Sequence, residues 1–392
     1  MNNRWLVLAV LFLARTAMGF QFQSVASLSS FVITDLDIDY TQLGMLIGSY
    51  LLPGIVIAYP SGLLGQRFGD KQGAILGMTL MVIGGVLTGT SNDYGVFLLG
   101  RLISGTGAVL LNVLLMKMAT DWFVGREIGT ALALLVSSWP VGIGIALIVL
   151  PQLALTFSAA TAFVVTAVAA ALVLVLIAAI YRVPTTVAGI LPPIEGPGLG
   201  LSIREFGLVT MAGAVWALFN VGYIILISFA PPLLIAQGMS VKAAGMATSL
   251  ASWTIIPTIA LGGMLLDRIG HATMLMITSF ALLALSIMLM PSTSSFALIA
   301  FIGLVGGLPC GAMLVLPVEV LRPQSRSPGM GIFYTWYYVG MALLTPVAGY
   351  VRDLTGDPAK PLTFAGCLEI AAIAVLVLLR LSERHFARDR RN

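Results

Sequence analysis

Gly62-Leu63-Leu64-Gly65-Gln66-Arg67-Phe68-Gly69-Asp70-Lys71 returns 201 positions later as Gly263-Met264-Leu265-Leu266-Asp267-Arg268-Ile269-Gly270-His271. Gly62 aligns with Gly263, Arg67 with Arg268 and Gly69 with Gly270. Each copy follows the second of a series of apolar runs and precedes the third, so two similar halves are expected. The glycines suit a tight turn and close helix contact. A helix needs about 20 apolar residues to cross a bilayer. Runs of that order lie near 5–30, 42–65, 72–90, 94–119, 126–150 and 159–181, then near 206–236, 243–266, 272–290, 296–320, 328–351 and 361–380. Twelve spans are expected, separated by turn residues such as Ser91-Asn92-Asp93 and Pro291-Ser292-Thr293.

Composition agrees with a lipid environment. Of 392 residues, 59% are hydrophobic and 9% charged, and the mean hydropathy is +1.02. Soluble domains are about 45–50% apolar and about 25% charged. The longest connection expected on the side of the termini, 182–204, contains Pro184, Pro192, Pro193, Gly196, Pro197 and Gly198 and reads as a linker. The chain is therefore expected to be an all-α polytopic membrane protein with six-helix bundles at 1–181 and 205–392.

The net charge of +4 is distributed as a membrane orientation signal and not as a nucleic-acid footprint. With the N-terminus inside, inner segments hold fifteen of the 20 Lys and Arg residues, outer segments hold Lys242, Arg352 and Lys360, and Arg15 and Arg101 fall within spans. Acidic Asp35, Asp37 and Asp39 fall in the first outer loop. Both termini are thus expected in the cytoplasm, at a bacterial inner membrane. A cleaved signal peptide is not expected, because many apolar runs follow the first and no small-residue cleavage site ends it. Cys310 and Cys367 lie in apolar runs without metal or disulfide spacing, and His271 and His385 fall in loop or tail. No cofactor or metal site, and no nucleophile–base pair of an enzyme, is expected.

The loop after the second span resembles the Gly-x-x-x-Asp-Arg-x-Gly-x-Lys motif of the major facilitator superfamily. Leu98-x-x-Arg101-x-x-x-Gly105-x-Gly107 resembles that family's fourth-helix motif, and Trp122-Phe123-Val124-Gly125-Arg126-Glu127-Ile128-Gly129 its approach to helix five. Trp139-Pro140-Val141-Gly142-Ile143-Gly144 is similar to the helix-five Pro/Gly motif, with Trp139 where glycine usually precedes proline. The resemblance implies a secondary transporter, working as a monomer by rocking of its halves about a central site. Glycines at Gly142, Gly144 and Gly303–Gly307 would permit sliding contact. Gly62, Arg67, Gly69, Asp267, Arg268 and Gly270 would be gating positions, with Asp267 latching a helix N-terminus of the opposite half. Gln66 stands at the first-half counterpart of Asp267, so a weaker latch is expected there. The run Pro317-x-Glu319-x-x-x-Pro323-x-x-Arg326 looks like a family loop motif, with Glu319 and Arg326 as inner-gate groups.

The resemblance also implies that the third helix of each three-helix unit faces lipid. The sixth and ninth spans are almost wholly aliphatic, whereas the first, seventh, eighth and eleventh carry the polar groups. Arg15 lies about ten residues into the first span, roughly 15 Å deep, where a charge costs at least ~2.5–3.5 kcal/mol. Arg15, Gly19 and Gln23 share a face with Ala26, which makes Arg15 a candidate anion ligand with room beside it at Gly19. Arg101 is a candidate for substrate contact, coupling or packing, and Lys117 is expected to snorkel to water. Trp216, Asn220 and Tyr223 share a face of the seventh span. Ser249, Ser252 and Trp253 lie on the eighth span, and Tyr334, Trp336, Tyr337 and Tyr338 on the eleventh. Tyr334 and Tyr338 fall about 9–15 Å inside, too deep for an interfacial aromatic belt. Glu369 is the only carboxylate well inside a predicted span; a lone acid there invites a proton-carrier role, but the twelfth span is peripheral in the architecture that the resemblance implies, and a structural pair or a lipid-interface position is expected for it.

A carrier for a small organic or inorganic anion, held between Arg15 and these aromatic and amide groups, follows from the residues. The alternative is proton-coupled efflux of lipophilic drugs through a Met- and aromatic-rich interior. The first six spans supply no acid for a cationic drug. Symport with protons, exchange and uniport all fit the first reading.

Overall fold

A computed structural model describes residues 3–57, 69–124, 127–183, 201–293, 295–322 and 325–388, with the side chains of Asp267, Ser327 and 384–388 outside that set. Gly62, Arg67, most of the 182–204 linker and the Asp267 side chain therefore lie outside the described residues. Among the described residues there are fourteen helices of eight residues or more. The first half holds α1 (Arg4–Ser27), α2 (Ser29–Leu36), α3 (Tyr40–Ser49), α4 (Asp70–Thr90), α5 (Tyr94–Phe123), α6 (Ile128–Thr156) and α7 (Ala159–Ile180). The second holds α8 (Ile203–Ala236), α9 (Val241–Ile269), α10 (Ala272–Thr293), α11 (Phe296–Gly307), α12 (Cys310–Val320), α13 (Arg326–Thr355) and α14 (Lys360–Arg388).

Twelve crossings result, because α2 continues the first span beyond a break at Leu28, and α11 and α12 share the tenth across Leu308-Pro309. Pro309 has no N–H to continue the helix ladder. Among the described residues, eleven stretches are apolar and long enough to cross a membrane by composition. The remaining crossing, α13, is 30 residues long but diluted by Tyr334, Trp336, Tyr337, Tyr338 and the prolines Pro328 and Pro346. Polar side chains set the helix starts: Asp39 and Gln42 form a capping box on α3, and Ser202 and Glu205 one on α8. Gly69 and Gly270, at the two repeat turns, have φ of +87° and +66°, a region that disfavours a side chain.

The repeat is visible in the contacts. Arg4 at the start of α1 pairs with Glu127 at the start of α6 at 2.8 Å. In the second half the start of the first helix is also tied to a later connection: Glu205 of α8 accepts from Nε of Arg322, which follows α12, at 2.9 Å and from its Nη2 at 2.7 Å. Lys117 bridges Asp70 and Asp121, so it is engaged and not merely snorkelling. Glu319 pairs with Arg380 of α14 at 2.8 Å, inside its own half and not across the gate. All four clusters lie on the face that carries both ends of the described chain.

The halves meet at the opposite face. There α3 packs on α13, with Gly349 against the Tyr40 carbonyl, Gly48 against that of Met341 and Gly44 against that of Thr345. Beside them α6 crosses α9, with Gly245 against the Leu147 carbonyl. A methyl group on Gly349 or Gly245 would overlap backbone oxygen. Asp353, near the end of α13, accepts from Tyr40 N at 3.0 Å, Thr41 N at 2.7 Å and Thr41 Oγ1 at 2.6 Å. Its carboxylate thus crosses the interface to the positive end of α3. Arg352 stacks on Tyr40, 3.8 Å from the ring centroid, and donates to its hydroxyl at 2.8 Å. Gln23 Nε2 of α1 donates to the Ile227 carbonyl of α8 at 3.2 Å, below this seal. At the terminus-bearing face a methyl group on Gly129 or Gly263 would meet nothing within 4 Å. Leu134 of α6 and Leu261 and Met264 of α9 are exposed there. The interface is closed at one mouth, and α6 and α9 part towards the other.

Asp353→Asn removes charge from the seal and is expected to favour the mouth-open state by ~10-fold, the scale of one charge-assisted hydrogen bond. Spin labels at Asn92 and Thr293, in a background lacking Cys310 and Cys367, should show a second, longer distance; an unchanged distribution would count against the latch. Gly349→Leu places a side chain into the Tyr40 backbone and should abolish the short-distance population. Retention of the wild-type distance in that variant would show that α3 and α13 do not set the closure.

Candidate functional site

Between the seal and the open side, Arg15 of α1 lies at the interface of the halves. Its Nη1 approaches Met116 Sδ of α5 at 3.2 Å, and its buried Nε has no hydrogen-bond partner. Tyr334, Tyr337 and Tyr338 of α13 lie within electrostatic reach of the guanidinium. No carboxylate pairs with it among the described residues. Asn112 of α5 stands beside Tyr338, and the Tyr338 ring packs on Gly54. A cation from the first half thus faces three phenols from the second.

The aromatic groups continue from there as one connected wall. Tyr337 meets Tyr338 edge-on at 5.1 Å and Trp216 of α8 at 6.4 Å. Trp216 stacks on Phe333 at 5.9 Å, and Phe333 meets Tyr334 at 5.3 Å. The buried indole Nε1 of Trp216 has no partner. Asn220, one turn further on, donates Nδ2 to the Trp216 carbonyl at 2.7 Å. The hydroxyls of Tyr223 and Ser252 lie near each other across α8 and α9, each without a hydrogen-bond partner. Trp253 of α9 covers Gly144 of α6, its indole within 2.8 Å of a methyl group placed there, and stays about one-third exposed. Buried donors left unpaired in this way cost free energy until a ligand or water meets them.

Several sequence expectations take a different place. Gly19 does not open room beside Arg15: a methyl group there would come 2.5 Å from the Trp139 carbonyl, so it serves the crossing of α1 and α6. Arg101 is 2% exposed, and its Nε, Nη1 and Nη2 donate to the carbonyls of Leu46, Gln21 and Phe22 at 2.9–3.0 Å. It also stacks on Tyr50, 4.5 Å from the ring centroid. All three nitrogens are occupied, which makes it an internal strut and not a ligand in this conformation. Gln23 lies in the contact between the halves, above Arg15. Trp336 packs on Gly213 of α8. Arg268 and Arg326 are exposed at the terminus-bearing ends of α9 and α13. Glu369 is fully buried and unpartnered, so neither a structural pair nor a lipid-interface position describes it. Sequence reading missed Asp353, Met116 and Asn112. Asp353 and Tyr40 are 313 residues apart, and no local pattern links them.

Comparison with known proteins gives the same architecture. The family model described as Major Facilitator Superfamily matches residues 11–343 and 216–391. The chain is 22% identical to the lysosomal dipeptide transporter MFSD1 of Homo sapiens over 96% of this chain and 86% of that protein. It is also 22% identical to the hexuronate transporter of Bacillus subtilis, over 95% of this chain and 94% of that one. Among solved structures, the D-xylose-proton symporter superposes with a TM-score of 0.75 at 15% identity, covering 95% of this chain and 97% of the other. The nucleoside transporter NupG gives 0.73 at 16%, covering 97% and 99%. Two six-helix halves, a sealed mouth, a polar centre between them and a family match along nearly the whole chain agree: this protein belongs to the major facilitator superfamily and is a secondary transporter, not an enzyme.

Proposed function

We propose that the protein carries a small organic anion, with a carboxylate as the group recognised. The observation that carries this reading is Arg15: a guanidinium deep between the halves, with an unpaired Nε and no carboxylate beside it. A cation held at that depth is stabilised by an anion that arrives and leaves. Tyr334, Tyr337 and Tyr338 supply hydroxyl donors around the anionic group, and Trp216, Asn220, Tyr223 and Trp253 supply an apolar wall with polar edges for the body of the molecule. A hexuronate and a dipeptide each carry a carboxylate on a small polar body, which fits the two relatives.

Ligand from both halves supports alternating access: α1 and α5 hold one side of the anion, α8 and α13 the other. One chain contains a complete site, so a monomer suffices. The bundles are proposed at 1–181 and 205–392, with the linker between them. The ion-paired clusters of Arg4, Lys117, Arg322 and Arg380 lie on the terminus-bearing face, against Arg352 and Lys360 on the sealed one, which supports a cytoplasmic location for both termini in a bacterial inner membrane. The sealed mouth then faces outward.

Thermal unfolding of purified wild type and Arg15→Gln, each with monocarboxylates, glucuronate, dipeptides, cyanate, nitrate, neutral sugars and lipophilic cations, tests this reading. A true ligand at about 100 times its Kd stabilises by ~2.7 kcal/mol. Stabilisation by a carboxylate, lost in Arg15→Gln while the unliganded melting temperature is kept, is the expected result. Stabilisation by lipophilic cations that survives Arg15→Gln would overturn it in favour of drug efflux.

A further inference from the structure

Glu369 is the tenth of the 29 residues of α14, 0% exposed, and neither carboxyl oxygen has a hydrogen-bond partner. It faces α8 at Gly222, where a methyl group would come within 2.6 Å of Oε1, and the nearby Ala365 carbonyl belongs to its own preceding turn. The helices packed on α14 are α8, α10 and α13. Between them they bring no charge to it. On α10 there is no titratable side chain. On α8, Glu205 is held by Arg322 at the far end and Tyr223 lies towards Ser252. On α13, Tyr334, Tyr337 and Tyr338 surround Arg15, Arg352 and Asp353 are held at the mouth, and Arg326 is exposed at the other end. On α14 itself, Lys360 and Arg380 are paired elsewhere and Cys367 is exposed. Burial alone defines the surroundings of this carboxyl.

A carboxylate without donor or counter-charge at that depth is stable only as the neutral acid. Packing alone would be served at lower cost by Gln or Met of similar size. What distinguishes the acid is that it can release a proton. One close neighbour is the helix that carries Trp216, Asn220 and Tyr223 to the central site, and Gly222 interposes no side chain between that helix and the carboxyl.

We propose that Glu369 is a proton-binding site of this carrier, loaded in the mouth-closed conformation and discharged when α8 moves with the rocking of the halves. The ligand is H⁺. It adds to one carboxylate oxygen and leaves from it, no other bond changes, and each event alters the local charge by one. A shift of α8 that admits water or a donor beside Gly222 stabilises the carboxylate, so protonation and the state of the central site are linked through one helix. The proposal rests on the carrier fold and on no particular substrate.

The test uses the full chain in lipid nanodiscs without added ligand, followed by infrared absorption of protonated carboxyls and by tryptophan fluorescence as pH is varied. Wild type should show a protonated-carboxyl band that disappears with rising pH, with a fluorescence step at the same midpoint. Glu369→Gln should lack the band and the step, and Glu369→Asp should restore both at a displaced midpoint. A band that persists throughout the pH range of the folded protein would mark a permanently protonated packing group and overturn the proposal. A step unchanged in Glu369→Gln would place the proton on another residue and overturn it equally. If Glu369→Gln does not fold, the midpoint shift in Glu369→Asp decides: a displaced midpoint supports the site, an identical one removes it. Neither readout involves an anion, so failure here leaves the Arg15 reading intact, and failure of that reading leaves this one.

Discussion

Helices in hydrocarbon gain nothing from hiding apolar surface from one another, so their association rests on close packing of backbone against backbone. This chain meets that constraint with glycine at the crossings. Gly19 and Gly142 let α1 and α6 touch within the first half, and Gly303 lets α11 reach the Ala251 carbonyl of α9 within the second. The same device joins the halves, where Gly349 and Gly245 bring α13 onto α3 and α9 onto α6. Among the described residues, these backbone crossings between halves lie towards one mouth. Rigid halves and a reversible seal thus follow from one kind of contact, distributed unequally.

Polar groups then decide what each contact is for. Two arginines illustrate this. Arg101 is enclosed by the carbonyls of Leu46, Gln21 and Phe22 and by the Tyr50 ring, a complete set of partners from its own half. Its charge is spent on holding α1, α3 and α5 together. Arg15 has a thioether and three tyrosines, drawn from both halves, and an unpaired Nε. Identical chemistry becomes a strut where the protein supplies every partner, and keeps a free donor where it leaves one missing.

The duplication is close in backbone and loose in chemistry. Arg4 and Glu205, 201 residues apart at the starts of α1 and α8, carry opposite charge, and their partners Glu127 and Arg322 do not correspond in the repeat. Asp353 caps α3 across the seal, whereas Gln152 stands at the position 201 residues earlier. The two sides of the mouth are therefore unequal: α3 and α13 are joined by a charged latch, α6 and α9 by packing. The cation of the central site comes from the first half and its aromatic wall from the second.

By itself the sequence determined the helix count and the division into halves. These are local properties: run length, turn residues and position within a span are set by hydropathy and by the chain's own geometry. It also marked Arg15 and the tyrosines of α13 as too deep to be interfacial. Tertiary structure alone decided which of these groups meet. Whether Arg101 is satisfied, whether Gly19 is open or filled by the Trp139 carbonyl, and whether Glu369 has a partner depend on helices far away in sequence. The seal through Asp353 was hidden for the same reason, since its cost and gain arise only when the end of α13 is brought to the start of α3.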